Sequence, residues 1–168
     1  MPEQPDLTEG SLLTAEALAW VGREVELPEV VVSDDNIGRF LAGTGDRNPL
    51  YTDDEVARQA GHDAAVVPPL ACMALSRPVV PVCELASDGR AEILRPPVGA
   101  GRAMAGQLEV ECVRPLYRGG RVRGRRRLVS LEEKQGRRRR FVLATWQTEY
   151  RDQAGELVVR ETYQQILS

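Results

Sequence analysis

Histidine is almost missing from this 168-residue chain: there is one, His62. A lone imidazole cannot build a two-histidine metal site within one chain. It also leaves at most one side chain that titrates near neutral pH unaided. Cysteine is scarce and odd in number. Cys72, Cys83 and Cys112 form no CxxC pair, which argues against a zinc site or a dithiol redox motif. Thiols so isolated are expected as small buried apolar residues in a reducing compartment. No apolar run approaches the roughly 20 residues that span a bilayer. The first ten residues are acidic and polar, without the basic-then-apolar order of a secretory leader. The expectation is a soluble cytoplasmic protein with no metal and no membrane association.

What the chain does have is enough apolar residue, 42%, for one ordinary core. The expected organisation is a flexible tail over 1–10 and a single domain over 11–168. The net charge of −3 conceals an asymmetry: residues 1–63 hold fourteen Asp/Glu against four Lys/Arg, and residues 121–140 hold ten Lys/Arg against two Glu. The basic stretch suits a phosphate-bearing ligand, an acidic partner or nucleic acid, or simply a solvated sheet face. It interleaves few aromatics, so nucleic acid is the weaker reading.

Local signals order the chain. "SLLTAEALAWVG" suits a brief helix capped by Thr14 and ended by Gly22. "EVVV" is a short β-branched strand. In "SDDNIGRFLAGTG", Ser33 can cap a helix, Asp34 and Asp35 suit its first turn, and Ile37, Phe40 and Leu41 share a face. Thr52 and Glu55 have capping-box spacing for a helix closed by Gly61. Pro68 and Pro69 suit a helix entry. The apolar run after them predicts a buried helix wrapped by a sheet, ended or bent by Pro78 and Pro81. Ser87–Gly101 reads as a loop. From residue 103, "AMAGQLEVECVRPL" alternates as a half-buried strand. "RVRGRRRLVSLEE" and "RRRRFVLATWQTEYRD" form a hairpin around Lys134–Gly136, and "LVVRETYQQIL" is a last strand. The fold class is α+β, an antiparallel sheet over a central buried helix.

The stretch "FLAGTGDRNPLYTDDEVA" resembles the signature of MaoC-type enoyl-thioester hydratases. Phe40, Gly45, Asp46, Asn48, Pro49, Leu50 and Ala57 match it, and Tyr51 stands where that signature has histidine. "WVGRE", "AGHDAAVVPPLACMALSRP", "AGQLEVECVRPLYRGGRV" and "QTEYRDQAGELVVRETY" are similar to one branch. It is the N-terminal MaoC or FAS1-like dehydratase domain, which is also similar to the non-catalytic subunit of mycobacterial hydroxyacyl dehydratases.

The resemblance implies a hotdog fold and a site where Asp and His move a proton across the double bond of an acyl-thioester. Imidazole suits that task and a phenol, ordinarily titrating near 10, does not. The resemblance also places a backbone donor for the thioester carbonyl at the start of the central helix. Pro68 and Pro69 stand there, and proline has no N–H. The expected role is therefore a non-catalytic hotdog subunit beside a catalytic MaoC-like hydratase, in a heterodimer or a heterotetramer. The substrate would be a CoA or phosphopantetheine thioester, on acyl-CoA or acyl-carrier protein, with no cofactor.

The degenerate motif is Asp46, Asn48 and Tyr51. Substrate-binding candidates are those three with Pro69, Arg114 and Arg118. Asp46 and Asn48 equally fit residues that merely hold a turn. Tyr51 either fills a vacated pocket or donates a hydrogen bond to ligand. Trp20, Trp146 and Tyr150 read as core or interface. Arg114, Arg118 and Arg137–Arg140 suit a CoA phosphate, an acidic carrier protein or bare solubility. Two other readings stand beside this one: an active homodimeric hydratase or thioesterase using Asp46 with Tyr51 or His62, and a binding module using the arginine-rich hairpin.

Overall fold

The computed structural model describes residues 10–76, 80–85 and 96–168. Most of the tail, Pro78, and most of the expected loop at Ser87–Gly101 lie outside the described residues. Helix α1 spans Ala15–Leu18, strand β1 Glu24–Glu26 and strand β2 Val30–Val31. Helices α2, α3 and α4 span Asp34–Thr44, Asp54–Gln59 and Pro69–Leu75. The long strands follow: β3 Ala103–Cys112, β4 Arg121–Gln135, β5 Arg140–Asp152 and β6 Leu157–Leu167.

All six strands join one antiparallel sheet in the order β1-β4-β5-β6-β3, with β2 also on β4. Period-2 alternation is what builds it. Along β4 and β5 every second residue is buried, from Val122 to Leu128 and from Val142 to Tyr150. Strand β1 is an addition to the expected elements. It is only three residues long, too short for its pattern to register.

The concave face carries two apolar clusters. One joins Ile37 and Leu41 of α2, Ala71 and Cys72 of α4, and Val122, Tyr150 and Val159 of the sheet. The other joins Leu13 and Ala17 to Leu128, Val142, Ala144, Trp146 and Leu167.

Caps behave as their chemistry dictates. Thr14 Oγ1 accepts from Ala17 N at 2.9 Å, and Ser33 Oγ accepts from Asn36 N at 3.2 Å. Gly45 ends α2, in the left-handed region at φ 70° where a side chain is disfavoured. At α3 the cap is Asp53 rather than Thr52: Asp53 Oδ1 accepts from both Glu55 N and Val56 N. A carboxylate at this position also favours the helix N-terminus electrostatically.

Three expectations are corrected. Helix α4 is not enclosed: Ala71 and Cys72 are buried, but Leu70 is 43% exposed. Strand β3 is not half-buried. It is a sheet edge, and Met104 and Leu108 are exposed. Of the cysteines only Cys72 is buried; Cys83 and Cys112 are exposed.

Candidate functional site

The loop between α2 and α3 is held by its own polar side chains. Asp46 Oδ1 accepts from Asn48 N at 2.9 Å, and Asn48 Oδ1 accepts from Leu50 N at 3.1 Å. These are Asx turns, the structural use of such residues. They lead into a 3₁₀ turn over Pro49–Tyr51. Both side chains are exposed, while Tyr51 is partly buried and packs on the first apolar cluster.

Tyr51 lines a cavity of about 330 Å³. Its walls are Leu50, Val66 and Val67 from the loop side, Pro69 and Cys72 of α4, and Cys112 and Val159 from the ends of β3 and β6. Val66 N donates to Leu50 O at 2.9 Å and Val67 N to Leu116 O at 2.7 Å, which fixes the strap between loop and helix. His62 and Arg114 also border the cavity. Its mostly aliphatic lining suits an acyl chain, with Tyr51, His62 and Arg114 as polar groups on its rim. Burial pushes the Cys72 thiol up to about 12, so it is no nucleophile at neutral pH.

The sequence candidates divide accordingly. Tyr51, Pro69 and Arg114 come together at this cavity, and His62 joins them. Asp46 and Asn48 are not in its lining. Arg118 lies outside it as well. Its guanidinium bonds Asp34 Oδ1 at 2.9 Å, Thr52 O at 3.4 Å and Asp54 Oδ1 at 3.5 Å, tying α2, the loop and α3 together. Arg114 is paired with Glu156 at 2.6 Å. The helix entry is as expected: Pro68 stands at the N-cap position and Pro69 in the first turn, with no side-chain cap.

At least five of the ten basic residues in this segment have a carboxylate within 4.0 Å, Lys134 with Glu132 among them. Arg121 and Arg123 share Glu29, Arg125 pairs with Glu24 and Glu26, and Arg140 pairs with Glu133. The Arg121 hydrogen bond is the main reason the Glu29 carboxyl lies below its ordinary value. Arg126 differs from its neighbours: it points inward, 8% exposed, over the Trp146 ring at 4.6 Å. Beside it Glu161, 2% exposed, accepts from Tyr150. The sequence reading missed this buried pair of charged residues. Its signal was the alternation itself, which puts Arg126 in register with Val122, Gly124 and Leu128.

A sheet wrapped against a helix with this cavity between them defines an α+β hotdog domain of MaoC-like type. The chain belongs to the FAS1-like, dehydratase domain region family, whose model matches residues 19–161. It is a hydratase/dehydratase family member. Among relatives, a 38-residue stretch is 47% identical to the 3-oxo-4,17-pregnadiene-20-carboxyl-CoA hydratase alpha subunit of Mycobacterium tuberculosis; the match covers 23% of this chain and 12% of that subunit. The fold is similar to the ChsH1-ChsH2 complex from Mycobacterium tuberculosis (TM-score 0.70, 21% identity, 91% of this chain and 92% of that one). It is also similar to the HadBC (3R-hydroxyacyl-ACP dehydratase) complex of the same organism (TM-score 0.66, 18% identity, 88% and 96%). The (R)-hydratase from A. caviae is a further fold match (TM-score 0.61, 20% identity, 88% and 96%). No helix among the described residues is long and apolar enough to cross a membrane.

Proposed function

We propose that this chain is the non-catalytic hotdog subunit of a heteromeric MaoC-type hydratase/dehydratase, acting on an enoyl or 3-hydroxyacyl thioester of CoA or a carrier protein. One observation carries the reading. Tyr51 occupies the cavity rim where an imidazole is needed, while Asp46 is turned to the backbone of its own loop. The paired prolines at the start of α4 remove N–H donors that could polarise a thioester carbonyl. The chain would shape the acyl cavity, and a partner with an intact Asp/His pair would move the proton.

Strand β3 is the natural docking edge. It presents ten residues with exposed Met104 and Leu108, a row that pairs readily with another strand. Two similar structures, ChsH1-ChsH2 and HadBC, are complexes of two components, which supports a partner of this kind.

The test is hydration of crotonyl-CoA and longer enoyl-CoA by the purified chain, alone and with a catalytic MaoC-like subunit. The reading expects background turnover alone and turnover with the partner. Robust activity of the lone chain would reject it.

One observation favours a second reading. His62 borders the same cavity as Tyr51, so a homodimer could use His62 as its acid/base group. Under that reading the lone chain is active and His62→Ala abolishes turnover.

A further inference from the structure

The cavity beside Tyr51 has an open end and a buried end. Cys112, Val113 and Arg114 border it and are exposed. Val67, Cys72, Leu116 and Val159 border it and are buried, and all four belong to the first apolar cluster. The buried end is held by regular structure on each side. Val67 N donates to Leu116 O at 2.7 Å. Val159 sits in register between Cys112 of β3 and Tyr150 of β5. Cys72 lies on the buried face of α4 and is 1% exposed. A floor packed this way does not slide back for a longer ligand.

What lies behind the floor matters as much. Glu161 is two residues beyond Val159 on the same face of β6, about 7 Å along the strand. It is buried and accepts from Tyr150 at 2.9 Å. Thr148, its cross-strand partner on β5, is buried beside it. A hydrocarbon chain pushed past Val159 would meet a desolvated carboxylate and a hydroxyl instead of apolar surface, which is unfavourable for both. For an aliphatic ligand the cavity is a dead end.

Given the acyl-thioester reading proposed above, we infer that Cys72 and Val159 set the length of the acyl chain this subunit accepts. The substrate class is a short to medium-length acyl thioester that ends in plain hydrocarbon. Volume sets the length: about 330 Å³ holds on the order of ten small groups at roughly 30 Å³ each. The floor sets the chemistry of the far end, because Val67, Leu116 and Val159 offer only aliphatic side chains there. A hydroxyl carried to that depth would lose water and find no strong partner in the lining. The thioester end stays at the rim, with Tyr51, His62 and Arg114.

The experiment is calorimetric titration of the purified chain with saturated CoA thioesters, which have no double bond to hydrate: butanoyl, hexanoyl, octanoyl, decanoyl, dodecanoyl and hexadecanoyl. Affinity should climb roughly tenfold for each two carbons while the chain fills the cavity. It should stop climbing, or fall, once the chain passes decanoyl. Val159→Ala and Cys72→Ala deepen the floor, and each should move that break to a longer chain. Val159→Phe should weaken octanoyl-CoA about tenfold or more by filling the buried end. Val129→Ala, at an exposed position on β4 outside the cavity, should follow the wild-type profile. Circular dichroism checks the fold of each variant. Octanoyl-CoA with a terminal hydroxyl should bind about tenfold or more weakly than octanoyl-CoA. Absence of saturable binding, a climb that continues to hexadecanoyl, or a break that none of the three floor variants moves would overturn the assignment of the floor. Equal binding of the hydroxylated thioester would overturn the plain hydrocarbon end. Hydration of crotonyl-CoA by the lone chain bears on its catalytic role alone, so failure of that reading is read separately from failure of this one.

Discussion

Tyr150 donates a 2.9 Å hydrogen bond to Glu161 Oε2 on the concave face of the sheet, and both residues are about 2% exposed. Arg126, Thr148 and Glu161 are successive cross-strand partners on β4, β5 and β6. A polar rung thus runs between the two apolar clusters. A carboxylate this deep needs its donor. Burial first, then the neighbouring Glu161 charge and the hydrogen bond to it, push the Tyr150 phenol well above its ordinary value. A raised folded value means that stability is fully present below the ordinary phenol value near 10. It is lost as pH climbs above that, because the unfolded chain ionises first. Tyr150→Phe is expected to cost about 1–3 kcal/mol in denaturant unfolding at pH 7. It should also flatten the alkaline fall in stability relative to wild type. Equal stability and an unchanged alkaline slope would remove the rung from the account.

Cys72 provides a second pH-linked check. Burial raises its thiol from 9.0 to about 12. Stability from this group is whole below pH 9 and declines as pH rises from there towards 12. Native chain treated with iodoacetamide at pH 8 should be alkylated at Cys83 and Cys112, which are exposed, and spared at Cys72. Peptide mass spectrometry reads the outcome. Modification of Cys72 at the rate of Cys112 would contradict its placement on the buried face of α4.

The architecture was legible wherever a residue's neighbours lie in its own strand. Alternation from Val122 to Leu128 and from Val142 to Tyr150 marks the two central strands, because one face meets the core and the other meets water. The same rule misread β3. Leu108, Val110 and Cys112 alternate with polar and charged residues, but only Val110 packs on the first apolar cluster, and Leu108 and Cys112 stay exposed. Alternation tells that a face is apolar, not that it is covered by the same chain. The rule also passed over Arg126, since a charge on the inward face looks like a surface residue until strand register is known. Of the candidate site, Tyr51 and Pro69 were legible from the loop and helix-entry motifs, and Arg114 from the basic segment after β3. His62 entered only as the acid/base group of the alternative reading, because its approach to the cavity depends on the strap fixed by Val66 and Val67 rather than on any local spacing. Thr52 lost the cap to Asp53 by one residue, a shift that both side chains' chemistry allows.

Arg118 tests how the loop is supported. Its side chain is 31% exposed and joins Asp34, Asp54 and Thr52 O. Asp54 in turn accepts from Ala65 N at 2.9 Å. Partly exposed ion pairs contribute little, so Arg118→Ala should lower stability by about 0.5–1 kcal/mol, with the loss shrinking at high salt. Amide exchange should quicken around Leu50–Asp54 without change in β5. A variant that loosens β5 equally would place Arg118 in the general stability of the domain.

Gly124 tests the packing beneath the sheet. A Cβ there would lie 2.8 Å from Leu27 Cδ1 and 3.1 Å from the Tyr150 ring. Gly124→Ala should cost about 1–3 kcal/mol by overpacking, although β propensity alone favours alanine over glycine. A double change with Leu27→Ala should recover part of that loss, since it removes the side chain the new methyl strikes. Additive losses would show that Leu27 and residue 124 do not share a site.

The degenerate motif gives the sharpest separation of structure from chemistry. If Asp46 only holds its loop, Asp46→Ala costs about 1 kcal/mol of stability through the lost bond to Asn48 N, and Asp46→Asn, which keeps an acceptor, costs less. In a complex with a catalytic subunit, neither change should alter kcat by more than about twofold at saturating enoyl-CoA. Tyr51 differs because it borders the cavity. Tyr51→Phe should leave kcat unchanged and raise KM only if the hydroxyl donates to ligand. Tyr51→His should not give the lone chain hydratase activity, since the proline entry to α4 still lacks N–H donors. A loss of kcat of a hundredfold or more in Asp46→Asn would instead make that carboxylate a catalytic residue. The chain would then be an active hydratase rather than the subunit that completes one.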